Sequence, residues 1–222
     1  MPQQQILSMK ASSRRSFLQK SLILPVVFLI AACTGPGSTT GSAGNTAASP
    51  LATTGAQAPV LTNTPTCKGV ATLSQTEGPF YKPNSPERTS LREAGLSGTP
   101  LTVTGYVLST TCQPIAHALL DFWQADTNGN YDNTGFRLRG HQYTDIQGRY
   151  SLDTIVPGEY TGRTRHIHVK VQAPGKPVLT TQLYFPGEAR NDSDGIFSPE
   201  LLMQMQQTSN GQLATFNFII AV

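Results

Sequence analysis

The sequence has little charge and no long apolar run. Asp, Glu, Lys and Arg together make up 13% of its 222 residues. The main apolar run, Leu22–Ala32, has 11 residues and contains Pro25, whereas a membrane-spanning helix needs about 20 residues. A transmembrane helix is therefore excluded at this position, and the run fits the core of a cleavable export signal.

The excess of positive charge is small and unevenly placed. The formal net charge is +3, but the first 32 residues contain no acid and four basic residues, which are Lys10, Arg14, Arg15 and Lys20. Without this leader, 12 basic and 13 acidic residues remain, a formal net charge of −1. This balance provides no general basic character for binding nucleic acid, so the sequence predicts no such partner.

The leader carries two further signals. Arg14 and Arg15 precede the apolar run, as in a twin-arginine export signal. The run ends in Ala31-Ala32-Cys33, which resembles a bacterial lipobox and implies cleavage before Cys33 and lipidation of its thiol. The alternative is an ordinary export signal with an incidental cysteine. We expect residues 1–32 to be a signal peptide and the mature protein to be a membrane-anchored lipoprotein of the bacterial cell envelope.

A stretch without charge follows the leader. Of the 33 residues in Thr34–Thr66, 27 are Gly, Ala, Ser, Thr or Pro. Such a composition cannot bury enough apolar surface to offset the entropy lost on ordering. Residues 33–66 are therefore predicted to be the lipidated cysteine and a disordered linker, followed by a domain at 67–222.

Cysteine is scarce, with three in the whole chain. If Cys33 carries lipid, Cys67 and Cys112 remain as an even pair in an oxidising compartment. We predict a disulfide between them. Two separate buried thiols are the alternative, because sequence alone does not show that the two lie close together.

Short alternating runs indicate an all-β domain. Residues 67–222 are enough for one core, and the runs of period two or high β propensity are Leu101–Val107, Ala118–Trp123, Arg149–Leu152, His166–Val171, Leu179–Phe185 and Thr215–Ile220. Turn-forming residues separate them, which favours a β-sandwich. One short helix is predicted from Ser198, a possible N-cap followed by Pro199 and Glu200, to Gln207.

Two histidines on a predicted strand are candidate metal ligands. Residues i and i+2 of a strand share a face, so His166 and His168 lie opposite Ile167 and Val169. Two imidazoles about 7 Å apart along a strand can converge on one ion. The alternative for such a pair is a polar surface without a metal.

Two tyrosines extend this pattern. Tyr131 and Tyr160 each follow a tight turn, and Tyr160 lies six residues before His166. A phenol becomes a good ligand only when a highly charged ion displaces its proton, which favours Fe(III) over Zn(II). The alternative is an aromatic of the sheet with a solvated hydroxyl.

Several motifs together resemble those of the intradiol ring-cleavage dioxygenases, which include the protocatechuate, catechol and hydroxyquinol enzymes. The resemblance covers about Cys67–Phe185 and rests on Thr76–Tyr81, Trp123–Asp126, Gly129–Tyr131, Pro157–Tyr160, Arg163–His168 and Thr181–Phe185. It implies an immunoglobulin-like or prealbumin-like sandwich. It also implies that O2 and a catechol-type substrate react to give a muconate-type diacid.

The same resemblance assigns site residues. It implies Fe(III) bound by Tyr131, Tyr160, His166 and His168, with Tyr160 as the ligand that leaves when substrate binds. Arg163 and Gln182 are implied beside the substrate ring, and the substrate pocket is implied to be lined by Pro79, Phe80 and Tyr81.

The sequence departs from the family at some positions. Arg163-Thr164-Arg165 stands where members often have Arg-Pro-Ala, and strand alternation predicts that Arg165 points away from the histidines. The long helical N-terminal segment by which the catechol enzymes dimerise is missing. The substrate and the oligomeric state of those members therefore do not carry over, and a homo-oligomer stays an open alternative. Asp192 and Asp194 are expected in a solvated turn.

A binding module is the rival interpretation. Gln147–Leu152 and Pro157–Tyr160 also resemble transthyretin-like or carboxypeptidase-regulatory-like sandwiches, which bind or tether without catalysis. A lipoprotein on a flexible linker suits that role, but this interpretation assigns no purpose to His166 and His168.

Overall fold

A computed structural model describes residues 66–222 as nine strands in two sheets that pack as a sandwich. In chain order the strands are β1 (Pro100–Ser109), β2 (Leu119–Trp123), β3 (Arg139–Tyr143), β4 (Arg149–Ile155), β5 (His166–Gln172), β6 (Leu179–Tyr184), β7 (Gln204–Thr208), β8 (Gly211–Thr215) and β9 (Phe218–Ile220). The predicted all-β sandwich is confirmed. The signal peptide, Cys33 and all of the predicted linker except Thr66 lie outside the described residues.

One sheet is built around the long strand β1. Its order is β4-β1-β8-β7, and β9 also pairs with β1. Both β8 and β9 run parallel to β1, β8 along Leu101–Thr104 and β9 along Val107–Ser109. Between these two pairings, a Cβ on Gly105 would lie 1.8 Å from the carbonyl oxygen of Phe216. Glycine is required there because the chain between β8 and β9 lies directly against β1.

The other sheet, in the order β3-β2-β5-β6, places the candidate ligands. One face of β5 contributes Ile167, Val169 and Val171 to the core between the sheets. His166 and His168 lie on the opposite face, as the alternation predicts. Burying apolar side chains of alternating strand residues stabilises the sandwich and at the same time sets the direction of both imidazoles.

The N-terminal segment 67–99 forms no named strand, and its residues 75–81 lie against the outer face of this second sheet. The backbone N–H of Gln75 donates to the carbonyl oxygen of Thr180 at 2.8 Å. The side chain of Gln182 donates to the carbonyl oxygen of Thr76 at 2.9 Å. At the start of the segment Cys67 and Cys112 form the predicted disulfide, with their Cα atoms 5.5 Å apart.

The predicted helix is wrong. Pro199–Leu201 forms one 3₁₀ turn, and the residues expected to continue the helix form β7. This strand pairs with β8 through a hairpin in which Thr208 lies opposite Gly211. The two-residue loop Ser209-Asn210 joins the strands, and strand pairing here overrides the helix propensity of Met and Gln. No helix in residues 66–222 is long and apolar enough to cross a membrane.

Candidate active site and metal centre

Two imidazole nitrogens meet on the outer face of the second sheet. The Nε2 atoms of His166 and His168 are 3.1 Å apart, and each histidine is only 3% exposed. The His168 ring stacks on Trp123, its neighbour on β2, with ring centroids 4.8 Å apart. Strand pairing and aromatic packing therefore hold the His168 ring against its neighbours.

The hydrogen bonds of His166 favour one tautomer. Its Nδ1 lies 2.6 Å from the carbonyl oxygen of Thr164, which can only accept, so Nδ1 carries the proton and Nε2 presents a lone pair. Burial lowers the pKa of His166 to about 4. Burial, followed by the charge of His166, lowers the pKa of His168 well below its ordinary value. Both rings are therefore neutral near pH 7, the form in which imidazole binds metals.

The spacing of these nitrogens fits one shared ion. Two imidazoles bound at right angles to one metal at about 2.1 Å would have nitrogens about 3.0 Å apart. The observed separation is 3.1 Å. The hydroxyl of Tyr131 lies 3.5 Å from Nε2 of His166 and adds an oxygen donor. Residues 66–222 hold no group of three or more His, Cys, Asp or Glu suited to a metal.

Tyr131 is held in a layer of aromatic rings. Its ring stacks on Phe80 with centroids 4.5 Å apart, and the Tyr160 ring lies edge-on to Tyr131 at 5.7 Å. Burial raises the pKa of Tyr131 above its ordinary value, although the charges of Arg163 and Arg139 oppose the rise. The buried phenol therefore keeps its proton unless a strong cation displaces it, which is the chemistry of a hard trivalent ion.

Backbone contact brings the two tyrosine loops together. The N–H of Gly158 donates to the carbonyl oxygen of Asp126 at 2.7 Å. A Cβ on Gly129 would lie 2.1 Å from the carbonyl oxygen of Glu159. Glycine on both loops permits this close approach. Gly129 and Gly158 thus do more than form turns, because they let the Tyr131 and Tyr160 loops touch. Their spacing in the sequence does not show this contact.

Among the described residues, Tyr160 is held by ring contacts without the hydrogen bonds that the other three candidate ligands make. Its ring packs edge-on against Phe80, with centroids 5.1 Å apart, and against Tyr131. Its hydroxyl makes no hydrogen bond with another residue of the range 66–222. Tyr131, His166 and His168 are thus brought into direct proximity, and Tyr160 joins them through its contact with Tyr131.

Arg163 and Gln182, which the family resemblance places beside the substrate ring, lie in one hydrogen-bonded network. Nη2 of Arg163 donates to Oε1 of Gln182 at 2.6 Å and to the hydroxyl of Tyr184 at 3.2 Å. Nε of Arg163 donates to Asp194 at 2.8 Å. Nη1 of Arg163 has no partner among the described residues. One edge of this guanidinium is therefore available to an anionic ligand.

The three predicted pocket residues differ in their surroundings. Phe80 covers the two tyrosines. Pro79 follows Gly78, where a Cβ would be 3.5 Å from Cε1 of His168. Tyr81 instead donates to Asp121 at 3.1 Å, and its pKa is raised to about 12, chiefly by burial and next by the charge of Asp121.

Two buried charges were missed by the sequence analysis. Asp194 was expected in a solvated turn, but its side chain is only 1% exposed and pairs with Arg163. Burial works to raise its pKa, yet hydrogen bonds from Arg163 and from backbone N–H groups hold that pKa below the ordinary value. Arg139 donates to the carbonyl oxygens of Phe80, at 2.6 Å, and Asp132, at 3.0 Å. It thereby joins the N-terminal segment to the Tyr131 loop. Their contacts with Arg163 and Phe80 join residues 31 and 59 positions apart, so no local signal marks them.

Comparison with known proteins identifies the family. A family model described as Dioxygenase (Dioxygenase_C) matches residues 76–220. The chain belongs to the intradiol ring-cleavage dioxygenase family. This membership favours the enzyme interpretation over the binding module considered from the sequence.

The relatives of this family member include both curated proteins and solved structures. Chlorocatechol 1,2-dioxygenase of Rhodococcus opacus is 29% identical over 69% of this chain and 74% of that protein. Hydroxyquinol 1,2-dioxygenase of Nocardioides simplex is 30% identical over 58% of this chain and 52% of that protein. The chain thus spans about half to three quarters of these two relatives.

Two solved dioxygenase structures share the sandwich. One is the dioxygenase domain of a dioxygenase carbohydrate-binding protein fusion from the cellulolytic bacterium Streptomyces sp. SirexAA-E. It is 58% identical with a TM-score of 0.68, over 69% of this chain and 99% of that chain. The other is 3-chlorocatechol 1,2-dioxygenase from Rhodococcus opacus 1CP. It is 30% identical with a TM-score of 0.63, over 68% of this chain and 72% of that chain.

Proposed function

We propose that this chain is a non-haem Fe(III) intradiol dioxygenase. It inserts both atoms of O2 into a catechol-type ring, cleaves that ring between its two hydroxyls and releases a muconate-type diacid. The observation that carries the proposal is the convergence of two imidazole nitrogens, 3.1 Å apart, and a phenol oxygen 3.5 Å from one of them. That convergence occurs in a chain of this family.

The residues that would hold the iron are Tyr131, Tyr160, His166 and His168. The two phenolates would cancel two of the three charges of Fe(III), and the two neutral imidazoles would add no charge. The bound ion would supply the positive charge that keeps both phenols ionised and binds the two oxygens of a catechol. The aromatic layer formed by Phe80, Tyr131 and Tyr160 keeps water from part of this site, which strengthens each electrostatic interaction inside it.

Two side chains of the protein act on the substrate in this proposal. Oη of Tyr160, which makes no hydrogen bond with the described residues, accepts a proton from one catechol hydroxyl. Nη1 of Arg163 faces the negative charge that develops on the ring, and a guanidinium keeps its charge at every working pH. Gln182, bonded to Arg163 at 2.6 Å, orients that guanidinium. Positioning and a fixed charge environment are what proteins contribute in cofactor enzymes.

The substrate class is proposed from the relatives. Those compared include a chlorocatechol and a hydroxyquinol enzyme, whose substrates have two adjacent ring hydroxyls in common. We assign to this chain the shared catechol core and no particular ring substituent.

Oxygen uptake with a panel of catechols tests the proposed function. We expect iron-loaded protein to consume one O2 per catechol and to release a diacid that retains both oxygen atoms. Replacing a ligand, as in His168→Ala, removes this uptake, whereas His141→Gln, in a histidine outside the site, retains it. A coloured, iron-loaded protein that consumes no O2 with any catechol, or that yields an extradiol product, disproves the proposal.

We further propose that the protein is exported and anchored to a membrane by lipid on Cys33. The paired arginines and the small residues before Cys33 support this proposal. The Cys67–Cys112 disulfide supports it independently, since such bonds persist in oxidising compartments.

Lipid labelling tests the anchor. Cells that express the full chain and are fed labelled palmitate should yield labelled protein in the membrane fraction. Cys33→Ala should remove the label, and Arg14→Lys together with Arg15→Lys should block export. Protein that stays unlabelled, or label that persists without Cys33, contradicts the proposal.

A further inference from the structure

Three ion pairs join two loops beside the candidate site. One partner of each pair lies in residues 188–194, here named the strap, and the other lies in the loop 159–165 that carries Tyr160. The pairs are Arg190–Glu159 at 2.5 Å, Glu188–Arg165 at 3.0 Å and Asp194–Arg163 at 2.8 Å. The strap therefore contacts the Tyr160 loop through its first residue, Glu188, its last residue, Asp194, and Arg190 between them.

The three pairs differ in exposure. The side chains of Arg190 and Glu159 are 48% and 38% exposed, and pairs exposed to this degree contribute little stability. The side chain of Asp194 is 1% exposed. Removing one partner of a buried pair leaves an uncompensated charge. The pair of Asp194 with Arg163 is therefore the one that fixes the orientation of the Arg163 side chain.

Asp194 holds Arg163 at a different nitrogen from the one that Gln182 contacts. Both of its carboxylate oxygens accept from Nε of Arg163, at 2.8 and 3.0 Å. Gln182 and Tyr184 accept from Nη2 of the same guanidinium. A planar group held at two of its nitrogens has one orientation, and Nη1 is the nitrogen left without a partner among the described residues.

We propose that Asp194 is a positioning residue, which orients the guanidinium of Arg163 so that Nη1 faces the ligand of the candidate site. The consequence for catalysis rests on the proposed function, but the orientation itself does not. Asp194 acts through Arg163. It contacts Nε of that guanidinium and leaves Nη1 open toward the site.

A purely structural role for Asp194 makes a different prediction. Oδ2 also accepts from the backbone N–H of Thr164 at 2.9 Å, and Oδ1 accepts from that of Ile196 at 3.2 Å. An asparagine retains one acceptor oxygen for such bonds but loses the charge that Arg163 requires. If Asp194 served only the backbone, Asp194→Asn would lower stability without a specific effect on Arg163.

The first test uses iron-free protein and measures Arg163 by NMR. In the wild type we expect the Nε–H proton of Arg163 to exchange with solvent at least tenfold more slowly than that of Arg137, which lies on the exposed loop. Asp194→Asn should remove this protection, and Asp194→Glu should restore part of it. Glu188→Gln, which breaks another pair of the same strap, should leave it unchanged. Equal exchange at Arg163 and Arg137 in the wild type overturns the proposal without any variant.

The second test measures turnover of the iron-loaded protein. We expect Asp194→Asn to lower kcat at least tenfold with less than a threefold change in KM, because Arg163 faces charge that develops during the reaction. Glu188→Gln should keep kcat within twofold of the wild type. Equal losses in both variants, or an unchanged kcat in Asp194→Asn, overturn the catalytic consequence.

The two proposals fail in distinguishable ways. If the wild type cleaves no catechol, the proposed function fails, and the exchange of the Arg163 Nε–H still decides whether Asp194 holds that side chain. If the wild type is active and Asp194→Asn equals it in kcat and in exchange, the role of Asp194 fails alone.

Discussion

The backbone N–H of Gly158 donates a hydrogen bond to the carbonyl oxygen of Asp126 at 2.7 Å. This bond joins the loop that carries Tyr160 to the loop that carries Tyr131. The contact is so close that a Cβ on Gly158 would lie 2.4 Å from the carbonyl oxygen of Thr127. The tyrosines meet because the two loops touch through backbone atoms, with no side chain between them.

Adding a methyl group at this contact should separate the loops. We expect Gly158→Ala to lower the free energy of unfolding by about 1–3 kcal/mol, the usual cost of overpacking. It should also weaken the visible tyrosinate-to-iron absorption, because Tyr160 moves relative to Tyr131. Urea unfolding and absorbance of the iron-loaded protein measure the two effects. The control is Gly195→Ala, where a Cβ meets nothing within 4 Å, and equal results for the two variants would rule out the close contact as the cause.

Removing one phenol oxygen should cost metal binding. Tyr131→Phe preserves the stack on Phe80 but deletes the oxygen that lies 3.5 Å from Nε2 of His166. We expect iron affinity to fall by more than the roughly 10–100-fold that follows loss of an outer-shell partner. Competition with a chelator measures this affinity. Tyr143→Phe, at an exposed tyrosine of β3, is the matched control, and an unchanged affinity in Tyr131→Phe would remove Tyr131 from the ligand set.

Stability of the iron-free protein should depend on pH through the two histidines. Burial lowers the pKa of His166 to about 4 and that of His168 well below its ordinary value. In the unfolded chain both have pKa values near 6.5. As the pH falls from about 6.5 toward 4, the unfolded chain binds more protons than the folded protein. The free energy of unfolding therefore drops by up to about 1.4 kcal/mol per pH unit for each histidine, and the contribution is complete above pH 6.5.

Urea unfolding of chelator-treated protein between pH 7.5 and 5 checks this dependence. The double variant His166→Gln, His168→Gln should show a flatter profile over the same range. A wild-type stability that stays constant from pH 7 to 5 would contradict the buried, neutral state of the imidazoles.

Loss of the disulfide should destabilise the domain. Cys67 and Cys112 are separated by 45 residues, and the chain-entropy model assigns about 4 kcal/mol to a loop of that length, with typical measured values of about 2–4 kcal/mol. We expect the double variant Cys67→Ser, Cys112→Ser to lose that amount in urea unfolding. The Cys33→Ser variant serves as the control. A loss below about 0.5 kcal/mol would show that other contacts hold the N-terminal segment equally well.

The sequence was least informative where partners are distant along the chain. Gln204–Thr208 has residues with good helix propensity, but it forms a strand because Gly211–Thr215 is available to pair with it. Asp194 follows a polar turn and resembles a solvated acid, yet its partner Arg163 lies 31 residues earlier and buries it. Neither outcome has a local cause, so neither could be derived from spacing.

Features that depend on neighbouring residues follow from the amino-acid order alone. The alternation in His166–Val171 decides that both imidazoles share one face, because side chains of a strand alternate sides whatever the strand packs against. Which side chains meet those imidazoles depends on how distant parts of the chain pack. Tyr131 and Arg163 reach the same face through loops whose course depends on the Gly129–Glu159 contact and on the buried charges of Asp194 and Arg139. The physical reason is that hydrogen bonds and packing act between atoms close in space, and folding brings those atoms together from distant parts of the chain.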